Sequence, residues 1–461
     1  MQFRRPLLLK SSVIFAAALA VLLPRGIHAE ARLVIEADTG KVLEAENATV
    51  PWYPASISKL MTAYVTLQAV KDGKITLDTL FTVSPTAASQ SPSKMGLRAG
   101  TQVTVDNALK MMLVKSANDM AVVLAEGVGG SIDGFSVMMN ATARQLGMTQ
   151  TSYVNPNGLP ADGQITSARD MAILARSFIK NLPEYEYFVH IPSIRYGKRI
   201  TQNFNKLIGR YPGADGFKTG FICASGYNLV ASATRDGRRL IAVVLGASSG
   251  TMRSVRAAQL LDRGFAGNGL SWLRPSLGTV DQLAPVDTTP PDLHDEVCSG
   301  KHHKPSDEDE LTASAGSASS SGDGNNGAAF LASSLQPTPR PSDWLSAPPA
   351  PSEPIVVYTG PTRTGAALVA AVAADADSQT VAAKHGKRHA KKPVATAEAK
   401  PAEAPAAKPA AKPAAKHASA KPASAATDSA VPSAKPKARA KPKASTSTAP
   451  KRSSEAKPAG D

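Results

Sequence analysis

Apolar residues recur in two rhythms between residues 32 and 267. Short apolar runs at 32–37 and 41–44 flank Asp38-Thr39-Gly40, and a loop ending in glycine between two such runs predicts a β-hairpin. After Pro54 the period lengthens. Ile57, Leu60, Met61, Tyr64 and Val65 fall on one face of a helix that starts at Ser56. Further helices are predicted over 105–114, 117–126 and 134–145, and Thr166-Ser167-Ala168-Arg169-Asp170 opens another with a capping hydroxyl and an acid three residues on. The period then shortens to two. Runs at 226–233 and 239–245 flank the turn Arg235-Asp236-Gly237, and 254–263 closes the stretch with a helix. Strands at both ends with helices between them predict an α+β fold, one antiparallel sheet built from the two ends with helices packed on it. From about Leu270 Pro, Ser, Gly and Ala take over, and ordered structure is expected to end there.

Charge divides the chain further. The 461 residues hold 52 Lys+Arg against 37 Asp+Glu, a net +15, which by itself suggests a nucleic-acid binder. Residues 381–461 alone hold 18 basic against five acidic residues, a net +13, so the body is nearly neutral. That tail has no Leu, Ile, Met, Phe, Trp or Tyr to offset the entropy of ordering, and its repeated Lys-Pro steps block a continuous helix. It is expected to be an extended basic tether. The organisation is a signal peptide over 1–31, a catalytic body over 32–267, a largely disordered linker over 268–380 and a disordered basic tail over 381–461.

The other end carries an export signal. Arg4, Arg5 and Lys10 precede an uninterrupted apolar run at 13–23, and Ala29-Glu30-Ala31 supplies an A-x-A cleavage pattern, with Ile27-His28-Ala29 as a weaker neighbour. Eleven residues fall short of the roughly 20 that span a bilayer, so an uncleaved anchor is the lesser reading. Export argues against nucleic acid as the tail's partner. Cys223 and Cys298 suit an exported protein without a disulfide framework; they can pair, although Cys298 falls in the stretch expected to be disordered. His294, Cys298, His302 and His303 lie near Asp307–Glu310, but no apolar pattern supplies a scaffold to converge them, and no metal is expected.

The candidate chemistry turns on which serine has a base. Gly246-Ala247-Ser248-Ser249-Gly250 follows a strand and precedes a helix as a nucleophile elbow does, yet every histidine after Ser248 lies in low-complexity sequence, and the body itself has only His190. The elbow reading fails. A lysine base needs no histidine. Ser56 and Lys59 stand three apart at a helix start, unlike the other Ser-x-x-Lys matches at Ser91, Ser177 and Ser454. Ser116-Ala117-Asn118 follows 60 residues after Ser56 at a helix junction, and Lys218-Thr219-Gly220 comes 102 residues later, where strand pattern resumes. Three short motifs in this order are far more specific than any one alone.

With these motifs the body resembles the serine D-alanyl-D-alanine carboxypeptidases, the low-molecular-mass penicillin-binding proteins of peptidase family S11. Pro54–Thr62, Lys115–Asp119, Asn155–Leu159, Asp215–Gly220 and Leu240–Ala247 extend the likeness over about 32–267. The resemblance implies a penicillin-binding protein/β-lactamase-like fold with a helical subdomain, a bacterial periplasmic or envelope location, and no cofactor. It implies that Ser56 attacks a stem peptide ending in D-Ala-D-Ala to form an acyl-enzyme, with β-lactams as inhibitors. Lys59 takes the serine proton, which requires it to be neutral, as burial and a second cation such as Lys218 favour. Ser116 relays a proton to the departing D-Ala, Asn118 binds the substrate amide, and Lys218 and Thr219 hold its carboxylate. Gly220 lets the substrate approach the strand, and the amides of Ser56 and Phe221 form the oxyanion hole.

Asp170 and Asp215 are expected to be structural, as a helix cap and a turn residue, and Cys223 an apolar filler. No E-x-x-L-N loop of a class A β-lactamase occurs between Tyr153 and Ser167. A D,D-endopeptidase cutting cross-links remains open, since the extra strand-rich domain and C-terminal amphipathic helix of many carboxypeptidases are not evident. So does a largely non-catalytic envelope-binding protein. For an envelope protein the tail's expected partners are anionic wall polymers or lipid head groups.

Overall fold

The computed structural model of the protein describes residues 30–266, 276–299 and 345–389. Of the signal peptide expected over 1–31, residues 1–29 lie outside these residues, and Ala31 already opens a strand. Of the basic tail expected to be disordered over 381–461, residues 390–461 lie outside the described residues, and 381–389 are corrected to the end of a helix.

Ten strands occur among the described residues: β1 (Ala31–Glu36), β2 (Val42–Glu46), β3 (Leu80–Thr82), β4 (Gln102–Thr104), β5 (Ser193–Tyr196), β6 (Arg199–Gln202), β7 (Ala214–Ile222), β8 (Gly226–Arg235), β9 (Arg238–Ala247) and β10 (Ile355–Val357). Five of them form one antiparallel sheet in the order β2-β1-β9-β8-β7, so the N-terminal hairpin pairs with the C-terminal strands through Ala31–Glu36 against Leu240–Leu245. This is the closure of the two ends that the strand pattern predicts.

The run Leu240–Leu245 is apolar at every position because both faces of β9 are covered. Leu240, Ala242 and Val244 pack with Leu229, Ala231 and Ala233 against a helix over Gly250–Ala266. Ile241, Val243 and Leu245 point the other way, with Leu33, Ile35 and Val230, into the larger core. That core is filled by α1 (Lys59–Lys71), α2 (Val105–Val114), α3 (Asn118–Gly129), α4 (Ile132–Gln145) and α5 (Ala168–Asn181). Thr104, Ser131 and Ser167 cap α2, α4 and α5 by accepting the backbone N–H of the residue three positions on. The helix over Gly250–Ala266 becomes α6.

Two expectations are corrected. Asp215, read as a turn residue, lies within β7, where its carboxylate accepts from Ser232 Oγ and from Thr234 Oγ1 at 2.6 Å. Gly216 follows it, so glycine there was a poor guide to a turn. The stretch 268–380, read as a largely disordered linker beyond an end of order near 270, holds structure over 276–299 and 345–379. These segments have no core of their own and borrow that of the body. Val280 and Leu293 are buried there, Arg169 donates to Val280 O at 3.2 Å and Asp281 O at 3.2 Å, and Leu293 N–H donates to Ala224 O at 3.0 Å. Farther on, β10 adds in parallel to the edge of β5, with Val357 buried and Ile355 facing Ile194. A helix α7 (Gly365–His389) follows, with Ala371 and Ala376 buried. A few apolar residues in a Pro/Ser/Ala background suffice when a folded partner is already present, and composition does not register that.

Cys298, placed by sequence in a disordered stretch, forms a disulfide with Cys223, which is therefore not the apolar filler expected, across 75 residues. The helical turn His294–Cys298 is thereby joined to the hairpin between β7 and β8.

Candidate active site

Residues Ala55–Ser58 form one 3-10 turn that runs into α1, so the helix proper starts at Lys59 rather than at Ser56. The tight turn sets Ser56 and Lys59 on one side, three residues apart. Lys59 Nζ donates to Ser56 Oγ at 2.9 Å, to Asn118 Oδ1 at 2.7 Å and to the Asn157 carbonyl at 2.6 Å. Its side chain is fully buried, and three oxygens lie within hydrogen-bond distance of its nitrogen. Without them, burial of this nitrogen would cost several kcal/mol. Ser56 is half-buried, whereas Ile57, Ser58 and Lys59 after it are closed off.

The second motif sits where α2 ends and α3 begins. Ser116 lies between the two helices in the left-handed region, at φ +60°. A non-glycine residue held there costs on the order of 1 kcal/mol or more, which packing around it must offset. Its Oγ is buried and has no hydrogen-bond partner among the described residues. Asn118 opens α3. Its Nδ2 donates to Ser91 O at 2.9 Å, its backbone N–H donates to Ser93 O at 2.8 Å, and its Oδ1 receives Lys59. Next to it the Asp119 carboxylate accepts from the Met95 and Gly96 amides at 3.0 and 2.9 Å, pinning the 91–96 loop against the motif. Burial raises the Asp119 carboxyl pKa above its ordinary value, against the pull of those amides and of Lys94.

The third motif lies on β7, an edge strand of the sheet. Lys218 is buried and donates to the Thr219 carbonyl at 3.1 Å; Thr219 Oγ1 is buried without a hydrogen-bond partner among the described residues. Gly220 packs directly on the Ser56 turn. A Cβ there would lie 2.9 Å from Ser56 N, 3.0 Å from Ile57 N and 3.0 Å from Pro54 O. Phe221 stacks on Tyr227 of β8 with ring centroids 4.2 Å apart.

Thus the fold joins Ser56, Lys59 and Asn118 through the one side-chain nitrogen of Lys59 and brings Gly220 against Ser56 by backbone contact. Ser116 shares the loop of Asn118, and Thr219 and Phe221 flank Gly220 on the strand. Ser248 stands apart as an exposed residue between β9 and α6, and His190 contacts Glu186 and Arg239 rather than a serine. Ser167 is the expected capping hydroxyl and accepts from Asp170 N–H at 3.1 Å, but Asp170, read as the capping acid, turns elsewhere. Its carboxylate instead accepts from Gln150 N, Thr151 Oγ1 and Arg169, and burial raises its pKa above the ordinary range.

Four supporting residues were not singled out by sequence. Asn157 offers its carbonyl to Lys59, and Gly158 adopts φ +81° so close to the nucleophile turn that a Cβ would lie 1.8 Å from Ala55 O. Only glycine fits. Asn228 is fully buried in β8 and donates to the Tyr53 and Pro54 carbonyls at 2.9 and 3.1 Å, tying the turn to the sheet. Arg253 of α6 donates to Gly220 O at 3.3 Å and lies 5.5 Å from the centroid of the Tyr227 ring. For Asn228 a signal existed: an amide inside the apolar run 226–233 must find partners once buried.

Comparison with known proteins points to one family. A family profile described as D-alanyl-D-alanine carboxypeptidase, peptidase S11, matches residues 18–249. The chain is 40% identical over 259 residues to D-alanyl-D-alanine carboxypeptidase DacC of Escherichia coli K12, covering 54% of this chain and 64% of that protein. It is similar in structure to penicillin binding protein 5 of Haemophilus influenzae, at 37% identity and a TM-score of 0.51 over 53% of this chain and 73% of that one. The DacD carboxypeptidase of Francisella tularensis superposes with a TM-score of 0.51 at 33% identity, over 51% and 70% of the two chains. The chain thus spans just under two thirds of the DacC length, and the family profile ends before the segments at 276–299 and 345–389. Over its N-terminal half, with the penicillin-binding protein fold, the chain belongs to the D-alanyl-D-alanine carboxypeptidase family, peptidase family S11.

Proposed function

We propose that the protein is an exported serine D,D-carboxypeptidase that removes the terminal D-Ala from peptidoglycan stem pentapeptides. The observation that carries this reading is the side-chain nitrogen of buried Lys59, which lies 2.9 Å from Ser56 Oγ and 2.7 Å from Asn118 Oδ1. Attack of Ser56 Oγ on the penultimate D-Ala carbonyl forms the O–C bond while neutral Lys59 takes the hydroxyl proton. The amides of Ser56 and Phe221 receive the oxyanion. As the C–N bond breaks, the proton passes through Ser116 to the amine of the departing D-Ala. Water then attacks the ester by the same route in reverse. The free hydroxyls of Ser116 and Thr219 suit groups whose partner is substrate, Thr219 and Lys218 taking its terminal carboxylate.

Edge strand β7 gives an extended peptide a row of backbone groups to pair with, and Gly220 keeps that row close to Ser56. A penicillin would enter in the same place and remain as a stable acyl-enzyme. Export would remove the leader after Ala29, since Ala31 is already paired with Leu245 in β1 and Glu30 lies 3.8 Å from Arg32 and 3.5 Å from Arg256. The basic tail would then meet anionic wall polymers or lipid head groups.

The test incubates the purified protein with a pentapeptide monomer and with a cross-linked dimer. Release of D-Ala with intact dimers is the expected result. Split dimers would make the protein an endopeptidase, and no product from either, with Ser56→Ala indistinguishable, would overturn the catalytic reading.

A further inference from the structure

Beside the second motif lies a cleft of about 480 Å³, lined by residues from four separate parts of the chain. Arg98 comes from the loop before β4, Lys115 from the end of α2, Tyr196 and Arg199 from the β5–β6 hairpin, and Asp375 and Gln379 from α7. Lys115 is the residue next to Ser116, so the cleft adjoins the proposed active site along the chain. One wall is built by the segment that adds to β5, which lies beyond the residues that the family profile matches.

Its charge is one-sided. Arg98 and Arg199 are exposed, and neither side chain has an ion pair or hydrogen bond among the described residues. The single carboxylate in the lining is already engaged: Asp375 accepts from Thr359 N at 2.9 Å, Thr359 Oγ1 at 2.7 Å and Tyr196 Oη at 3.3 Å, and is 6% exposed. Two unpaired guanidiniums in a concave polar site are fork-shaped donors for a carboxylate.

We propose that this cleft is a second carboxylate subsite, which holds an internal free carboxylate of the stem peptide while Lys218 and Thr219 take the terminal one. The proposal rests on the carboxypeptidase reading for the identity of the ligand, and it gives the C-terminal segment a task, completing the substrate site. Hydrogen bonds from Gln379 to Tyr196 O at 3.1 Å and the buried Tyr196–Asp375 contact hold that wall to the hairpin carrying Arg199.

The test uses the full chain and two pentapeptides with the same D-Ala-D-Ala terminus, one with its internal carboxylates free and one with them amidated. Binding is read by calorimetry and D-Ala release separately. The free form is expected to bind about tenfold more tightly, with the gap shrinking at high salt because the contacts are partly exposed. Arg98→Ala with Arg199→Ala, both on exposed positions, is expected to abolish the gap without slowing D-Ala release from the amidated peptide. Equal binding of the two peptides by the unaltered protein overturns the subsite. So does a preference that survives the double substitution, which would belong to the basic tail. A preference removed by the substitutions, in a protein that releases no D-Ala, leaves the subsite standing and removes the carboxypeptidase reading instead.

Discussion

Gly220 meets Ser56 so closely that a Cβ on the glycine would sit 2.9 Å from the serine's amide nitrogen. The same amide is a proposed oxyanion donor, so the glycine sets how far edge strand β7 stands from the nucleophile turn. Gly220→Ala must push the strand or the turn away by several tenths of an ångström. Loss of one aligned oxyanion donor typically costs 10²- to 10³-fold. The expected result is a fall of about 100-fold in the rate of acylation by a fluorescent penicillin, with the melting temperature changed by only a few degrees. An alanine variant that acylates at the unaltered rate would remove the close approach from the mechanism.

Lys59 ties three elements together, so its removal has two separable effects. Lys59→Met leaves Asn118 Oδ1 and the Asn157 carbonyl buried without this donor, at roughly 1–3 kcal/mol for each unsatisfied group. It also removes the base from Ser56, worth about 10²- to 10⁴-fold. Penicillin labelling should be lost and the melting temperature should drop. Ser56→Ala separates the two effects, because it abolishes labelling while leaving the other two bonds of Lys59 in place. If the two variants melt alike, the stabilising part of the Lys59 network is absent.

The difference between what was legible in sequence and what was not follows the range of the interactions. β9 and α2 were visible because a run such as Leu240–Leu245 or a face such as Leu109, Met112 and Leu113 carries its period locally. Ser56, Lys59, Asn118 and Gly220 were visible because motif spacing stands in for three-dimensional proximity. Asn157 was noticed only within the stretch 155–159, and its contact with Lys59 was not legible, since it acts through a backbone carbonyl that any residue possesses. Arg253 was hidden for another reason: an arginine on a helix gives no sign that it reaches Gly220 on the neighbouring strand. The segments at 276–299 and 345–379 were misread because their few apolar residues, such as Val280, Leu293 and Val357, are buried by a surface they do not encode.

The Cys223–Cys298 bond closes a loop across 75 residues and fastens one such segment to the hairpin after the third motif. Loop-closure entropy alone assigns a bridge of that span about 4 kcal/mol. Replacing both cysteines by serine is expected to lower the melting temperature by about 10 °C in a body of this size. Proteolysis gives the second readout. The 278–283 end is still held by Arg169 and by Val280, so cleavage in the double variant should appear over 284–298. Equal protease resistance over that stretch would mean that the Leu293 contacts alone hold it.

His190 offers a stability change with pH whose direction follows from its surroundings. Its pKa lies below the ordinary 6.5, chiefly through burial; Asp215 and Glu186 pull it up, and Arg239 pushes it down. Glu186 stands 3.7 Å from the imidazole, and Arg239 bridges to Glu186 and, at 3.2 Å, to Asp215. Burial and the guanidinium outweigh the acids. The folded state therefore binds a proton less readily than the unfolded chain does. Its stability is fully present above about pH 6.5 and declines as the pH falls from there through the lowered folded value. His190→Gln keeps a polar side chain that does not titrate. Melting temperatures measured between pH 7.5 and 5 should fall less steeply in that variant than in the unaltered protein, the two curves converging in slope above pH 7. Parallel curves across the whole range would assign the acid sensitivity to other groups, with the buried, protonation-prone Asp119 and Asp170 acting in the opposite sense, since a raised carboxylate pKa favours the folded state as the pH falls.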